Sequence, residues 1–175
     1  TWIVAYLAVD FCYYWRHRAE HSFAFLWAEH CVHHSSTEFN LSTAGRLGWI
    51  MIAFGWIGYL PLVFLGFSPD QIITCWSVNM AFQFLSHVET VGPLPILDSI
   101  FSTPVNHRIH HAENEIYWGK NLGGTLILWD RLFGTYQPQT EPVRVGGRNE
   151  SRSQNPLTVS FKPMYQYLYG RLGAR

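Results

Sequence analysis

The chain has 175 residues, 48% of them hydrophobic and 17% aromatic, while only 14% are charged, against roughly 25% in an ordinary soluble domain. Twelve basic and twelve acidic residues cancel, so no net basic field exists to recruit nucleic acid. Three scattered cysteines, Cys12, Cys31 and Cys75, form no CxxC pair, which argues against a zinc ribbon or a disulfide framework.

The opening TWIVAYLAVDFCYYWRHRAEH is apolar as far as Trp15 and then basic at Arg16 and Arg18. That order is expected where a spanning helix leaves a bilayer on the cytosolic side. The chain begins with Thr1 inside the apolar run and shows no cleavable signal peptide, so this first spanning helix is expected to be truncated. Asp10, Tyr14, His17 and His21 fall at i, i+4, i+7 and i+11, one face of a helix. Asp10 is therefore expected to sit beneath two imidazoles and accept the far N–H of one of them. His30, His33 and His34 follow as HxxHH, then Asn40, which could hydrogen-bond a ligand or serve a turn.

From Leu47 to Pro69 no residue is charged, and about 20 apolar residues suffice to cross a bilayer as a helix. After the turn-like FSPD, Gln71–Ser86 is again free of charge. The pair predicts a membrane hairpin whose first helix is kinked by Pro61 and glycines. Its two ends must lie on one side, which gathers His17–His34, His87 and His107–His111 on a common face. Glu89, two residues after His87, is a candidate ligand or orienting carboxylate. A second HxxHH, at His107, His110 and His111, is followed by Asn121 and the glycine-punctuated NLGGTLILWDRLFGTYQ. Residues 139–156 read as an exposed polar loop, and SFKPMYQYLYGRLGAR as a helix lying at an interface. The expected architecture is all-α: about four membrane helices capped by a histidine-rich cytosolic bundle over residues 1–145, then a polar loop and interfacial helix over 146–175.

All nine histidines fall into this pattern: one HxxxH, two HxxHH and His87. A structural zinc takes about four ligands and a catalytic one about three plus water, so nine imidazoles predict two sites of four or five ligands. Neutral imidazole suits iron, copper, nickel and zinc alike. A membrane metal-binding or transport protein is the alternative from another class, and it would string its ligands along a pore. His17-Arg-Ala-Glu-His21 also reads HxxEH, the inverted zinc-peptidase motif, although that uses two histidines and leaves seven. Glu20 lies four residues after Arg16, which predicts a surface ion pair. There is no GxGxxG or P-loop, so reducing equivalents must come from outside the chain.

HRAEH, HCVHHSSTEFNLSTAGR and NHRIHHAENEIYWGKNLGGTLILWDRLFGTY together resemble the fatty acid hydroxylase/sterol desaturase superfamily of integral-membrane di-iron enzymes. Within it, HHSS with NLSTA, and KNLGGTLILWDRLFGTY with EPV, are similar to the alkylglycerol monooxygenase-like and bacterial sterol desaturase-like branch. The match runs from Asp10 to about Val145. The resemblance implies two Fe ions and O2 as co-substrate, acting on an unreactive C–H bond of a lipid by hydroxylation or desaturation. Electrons would come from an electron-donor protein or reduced pterin. The implied ligands are His17, His21, His30, His33, His34, His87, His107, His110 and His111. Val91 stands where some relatives carry a further histidine, leaving Glu89 or water to complete that iron.

Overall fold

A computed structural model describes residues 1–146, 153 and 155–170, and among them the chain is helical, with two isolated bridges and no strand. The helices are α1 (Trp2–Ser22), α2 (Ala24–His30), α3 (Leu41–Ala44), α4 (Trp49–Phe54), α5 (Leu60–Phe64), α6 (Pro69–Leu85), α7 (Pro95–Ile100), α8 (Pro104–His110), α9 (Leu128–Phe133) and α10 (Pro156–Leu168). At 1.5 Å per residue α1 is about 31 Å long and α6 about 25 Å. One face of α1 is buried through Ala5, Val9, Asp10, Tyr13, Tyr14, His17, Glu20 and His21, a three-to-four-residue spacing. That face packs against α2 and α6. The other carries exposed Trp2, Ile3, Val4, Leu7, Phe11 and Trp15.

The second half of the expected hairpin is α6. Ser68 caps it, accepting the Gln71 N–H at 3.3 Å while Gln71 Oε1 accepts the Ser68 N–H at 3.2 Å, and Pro69 fills the first turn, where no N–H is needed. The first half is not one kinked helix. It divides into α4, a 3₁₀ stretch at Gly55–Tyr59, and α5. Arg16 of α1 lies against the division, with its guanidinium over the rings of Tyr13 and Tyr59 and its side chain beside Gly55 and Gly58. A Cβ at Gly55 would come within 2.8 Å of Arg16 Nη1, and one at Gly58 within 3.2 Å of its Cδ. Pro61 then sits in the first turn of α5, where its ring starts a helix instead of bending one. Among the described residues no helix is long and apolar enough to cross a membrane.

The C-terminal helix starts at Pro156, earlier than the sequence pattern suggests, because Asn155 accepts the Leu157 and Thr158 N–H groups. It rests on α2 through a face holding buried Val159 and Pro163, leaving Leu157, Phe161, Tyr165 and Leu168 exposed. Of the expected polar loop and final helix, 147–152, 154 and 171–175 lie outside the described residues. No disulfide joins Cys12, Cys31 and Cys75.

Candidate metal centre

Four short pieces of chain deliver the nine histidines to one place: the last two turns of α1, the end of α2 with the 3₁₀ turn His33–Ser35, the residue just past α6, and α8 with its C-cap. Their ring nitrogens form two groups, within each of which one nitrogen per residue lies within 4.8 Å of all the others. Cluster one is His17, His21, His30, His34 and His110; cluster two is His33, His87, His107 and His111. The two touch. His34 and His111 stack with ring centroids 4.4 Å apart, and His107 and His110 at 5.4 Å.

Each HxxHH is therefore shared between clusters, not devoted to one. His30 and His34 go to cluster one and His33 crosses to cluster two; His107 and His111 go to cluster two and His110 crosses to cluster one. The helix ends explain the sorting. Residues i and i+4 stay nearly above one another, as with His17 and His21, whereas the i+3 residue turns away at the terminus.

The outward nitrogens are pinned. His17 Nδ1 donates to Leu122 O at 2.8 Å, His110 Nδ1 to Lys120 O at 2.9 Å and His87 Nδ1 to Gln83 O at 2.8 Å. His30 Nδ1 meets Glu20 Oε2 at 3.0 Å. A carbonyl or carboxylate oxygen only accepts, so these Nδ1 atoms carry the proton and the Nε2 lone pairs point inward. His17 Nε2 and His30 Nε2 are nevertheless 2.9 Å apart, and His87 Nε2 stands 3.0 to 3.3 Å from those of His107, His111 and His33. Two bare lone pairs at that distance repel. Ligands about 2.0–2.1 Å from an ion sit roughly 3.0–3.4 Å apart, so the spacing fits a cation in each cluster. The buried His110 Nε2 has no protein hydrogen bond, as an inward ligand atom should not.

Electrostatics favour the neutral, ligating form. Burial, and then the neighbouring imidazoles, hold His17, His33, His34, His107 and His111 well below the ordinary histidine range. His110 is pushed down to about 3, chiefly by burial, and burial lowers His87 too. Trp27 closes one side of cluster one, with its ring 5.1 Å from His21 and 5.5 Å from His34. Phe39 closes cluster two, stacked 5.4 Å from His87.

The other expected residues lie elsewhere. Asp10 is fully buried but touches no imidazole; it accepts from Thr125 N, Leu126 N, Trp129 Nε1 and Asn79 Nδ2, tying α1 to the segment before α9 and to α6. The reason is register: the 121–126 segment passes beside Asp10 and offers backbone N–H groups that must be satisfied. Asn40 caps α3, accepting the Ser42 N–H at 3.0 Å. Asn121, at φ 54, bonds Asn106 O and Gln137 O through its amide, so it shapes the turn without reaching a histidine. Glu89 is exposed and outside both clusters, and its backbone oxygen accepts from Arg108.

Glu20 is the residue that sequence reasoning undervalued. It is 1% exposed, 3.4 Å from Arg16 Nε and bonded to His30, so it is an interior carboxylate rather than a surface one. Burial pushes its carboxyl up, but Arg16 and His30 together hold it below the usual carboxylate range. The signal was its place at i+3 from His17 on the buried face of α1. Its oxygens face Arg16 and His30, not a water position between His17 and His21, which is where an HxxEH peptidase would need them.

A family model described as fatty acid hydroxylase matches residues 2–135. The chain is 39% identical over 165 residues to alkylglycerol monooxygenase of Homo sapiens, covering 94% of this chain and 37% of that protein. To the same-named protein of Danio rerio it is 41% identical over 171 residues, 98% of this chain and 38% of the relative. To the ornithine lipid hydroxylase OlsE of Rhizobium tropici it is 30% identical over 141 residues, 80% and 43% respectively. The chain thus spans less than two fifths of the length of the alkylglycerol monooxygenases. No solved structure matches.

Proposed function

The chain belongs to the fatty acid hydroxylase family, and on that premise we propose that it is the metal-binding core of an O2-dependent lipid hydroxylase. The observation that carries the proposal is the set of inward Nε2 lone pairs whose Nδ1 partners are fixed outward. Cluster one would hold one iron and cluster two another. Bound iron supplies the oxidising power toward O2 that amino acid side chains lack. The chain's own part is to hold the buried imidazoles together with their Nε2 atoms inward, to orient several of them by carbonyls and Glu20, and to exclude water with Trp27 and Phe39. The names of the relatives support a lipid substrate and favour hydroxylation over desaturation. Electrons enter from a donor protein or a reduced pterin.

Membrane attachment belongs to the same proposal. Its support is the exposed apolar surface: Phe64 and Leu65 before the turn into α6 are 86% and 74% exposed, and Trp49, Trp56 and Trp76 are uncovered. In this reading the clusters face the cytosol, which the basic Arg18 beside them supports. Residues 1–145 form the catalytic unit, and α10 lies at the interface with its apolar stripe toward lipid.

Metal analysis of purified protein tests the core of the proposal: about two irons per chain are expected, and one remaining in either His110→Ala or His107→Ala. A protein that binds no transition metal, or keeps its full complement in both variants, overturns it. O2 uptake stimulated by an alkylglycerol, an ornithine lipid or a free fatty acid identifies the substrate class, and a product heavier by one oxygen identifies hydroxylation.

A further inference from the structure

Two of the five cluster-one histidines lean on the same short segment. Lys120 O holds His110 and Leu122 O holds His17, while among the described residues no cluster-two histidine bonds that segment. Peptide carbonyls orient a ring only if their own backbone is fixed, so what fixes residues 120–123 controls both ligands.

Asp130 fixes them. Its buried carboxylate accepts the Leu122 N–H through Oδ1 and the Gly123 N–H through Oδ2, each at 2.7 Å. The Thr135 hydroxyl donates a third bond to Oδ1 at 2.6 Å. Gly123 is required by the closeness of this clamp, because a Cβ there would lie 2.4 Å from Leu126 O and 2.9 Å from Asp130 Oδ2. The clamp is tied back to α1: Tyr14 OH and Thr135 Oγ1 are 2.9 Å apart, and Arg18 Nη1 donates to Tyr14 OH at 3.0 Å. Tyr14 lies three residues before His17, so one hydrogen-bond chain fixes both the helix carrying that ligand and the carbonyl that orients it.

We propose that Asp130 is a positioning residue for one metal only, the cluster-one metal, acting through the backbone of Leu122 and Gly123. The inference rests on the reading of the clusters as two metal sites. An asparagine at 130 keeps the shape but turns an NH2 toward one of the two backbone N–H groups, so a charge-assisted acceptor becomes a donor facing a donor.

The test is titration of the metal-free full-length protein with Co(II), followed by visible absorption. His110→Ala and His107→Ala assign which binding step belongs to which cluster. Asp130→Asn is expected to weaken the cluster-one step about 10–100-fold and to leave the cluster-two step within a factor of about three. Equal weakening of both steps, or of neither, overturns the inference. Should Asp130→Asn fail to fold, Thr135→Val decides: a cluster-one loss of about 2–10-fold supports the inference, and an even loss or none overturns it. A wild-type protein without two Co(II) steps would instead sink the two-metal reading, so the two failures are distinguishable.

Discussion

The two histidine clusters are built from the same side chain but held by different means. Cluster one has a buried carboxylate against one of its rings and two carbonyls of a clamped loop against two more. Cluster two is anchored outward at His87, by the Gln83 carbonyl within the last turn of α6, has the Arg46 backbone beside His33, and leans on Phe39 for the rest. One site is held by charge and long-range loop contacts, the other by a helix end and an aromatic wall. Perturbations of loop or charge should therefore separate the metals, and perturbations common to both should not.

Acid is the largest of the common perturbations. Seven histidines have lowered values in the folded chain: His17, His33, His34, His87, His107, His110 and His111. An unfolded histidine titrates near about 6.5. Below that pH the unfolded chain binds protons that the folded one refuses, so stability is complete above about 6.5 and falls as pH drops. Each such group contributes about 1.4 kcal/mol per pH unit at most, and seven together are on the order of 10. That is comparable with a whole domain's stability of about 5–15 kcal/mol. Metal-free protein followed by circular dichroism should therefore unfold within about one to two pH units below 6.5, and bound metal should move the transition to lower pH. A flat stability profile from pH 7 to 5 would show that the rings are not neutral in the fold.

Glu20→Gln is the next largest effect and should break the symmetry. It removes the counter-charge of Arg16, whose side chain is only 19% exposed, and breaking such an interior pair costs about 3–5 kcal/mol. It also leaves His30 Nδ1 facing a neutral amide. Urea unfolding should report the stability loss, and metal analysis should find the cluster-one ion weakened first. An unchanged cluster-one affinity would mean that His30 is held by packing alone.

The contrast between Glu20 and Asp10 marks how far the sequence could be read. Histidine spacing on a helix is local, so all nine candidates could be named, and their number predicted two groups. The helical content of α1 and α6 was legible for the same reason. Which histidine joins which cluster was not, because it depends on where α2 and α8 end, and a one-residue change in a helix terminus swings an i+3 side chain across the site. Asp10 looked like an imidazole acceptor because it shares a face with His17. Three of its four donors come from residues more than a hundred positions away and the fourth, Asn79, from α6. The division of 49–64 was hidden likewise, since nothing local reports that Arg16 will lie against Gly55 and Gly58.

Asn40→Ala tests the wall of cluster two at smaller scale. Asn40 caps α3 directly after Phe39, and losing such a cap costs about 1 kcal/mol. Thermal unfolding should show that modest loss, with any metal effect confined to the cluster-two step, because the ring of Phe39 meets His87, His107 and His111, all of cluster two. A shift at cluster one would mean the wall supports both sites.

Glu89→Gln should do least. Glu20 lies three residues after His17 and Glu89 two after His87, and of this pair the first is turned inward while the second is exposed. Glu89 follows the end of α6, past the last helical hydrogen bonds, and its backbone oxygen rather than its side chain is what Arg108 grips. Removing its charge should change stability by less than about 0.5 kcal/mol, as for an ordinary surface substitution, and should leave both metal steps where they were. A weakened cluster-two step would mean that Glu89 swings in to complete that metal's ligand set once the ion is bound. The difference between the two clusters would then shrink to one carboxylate each.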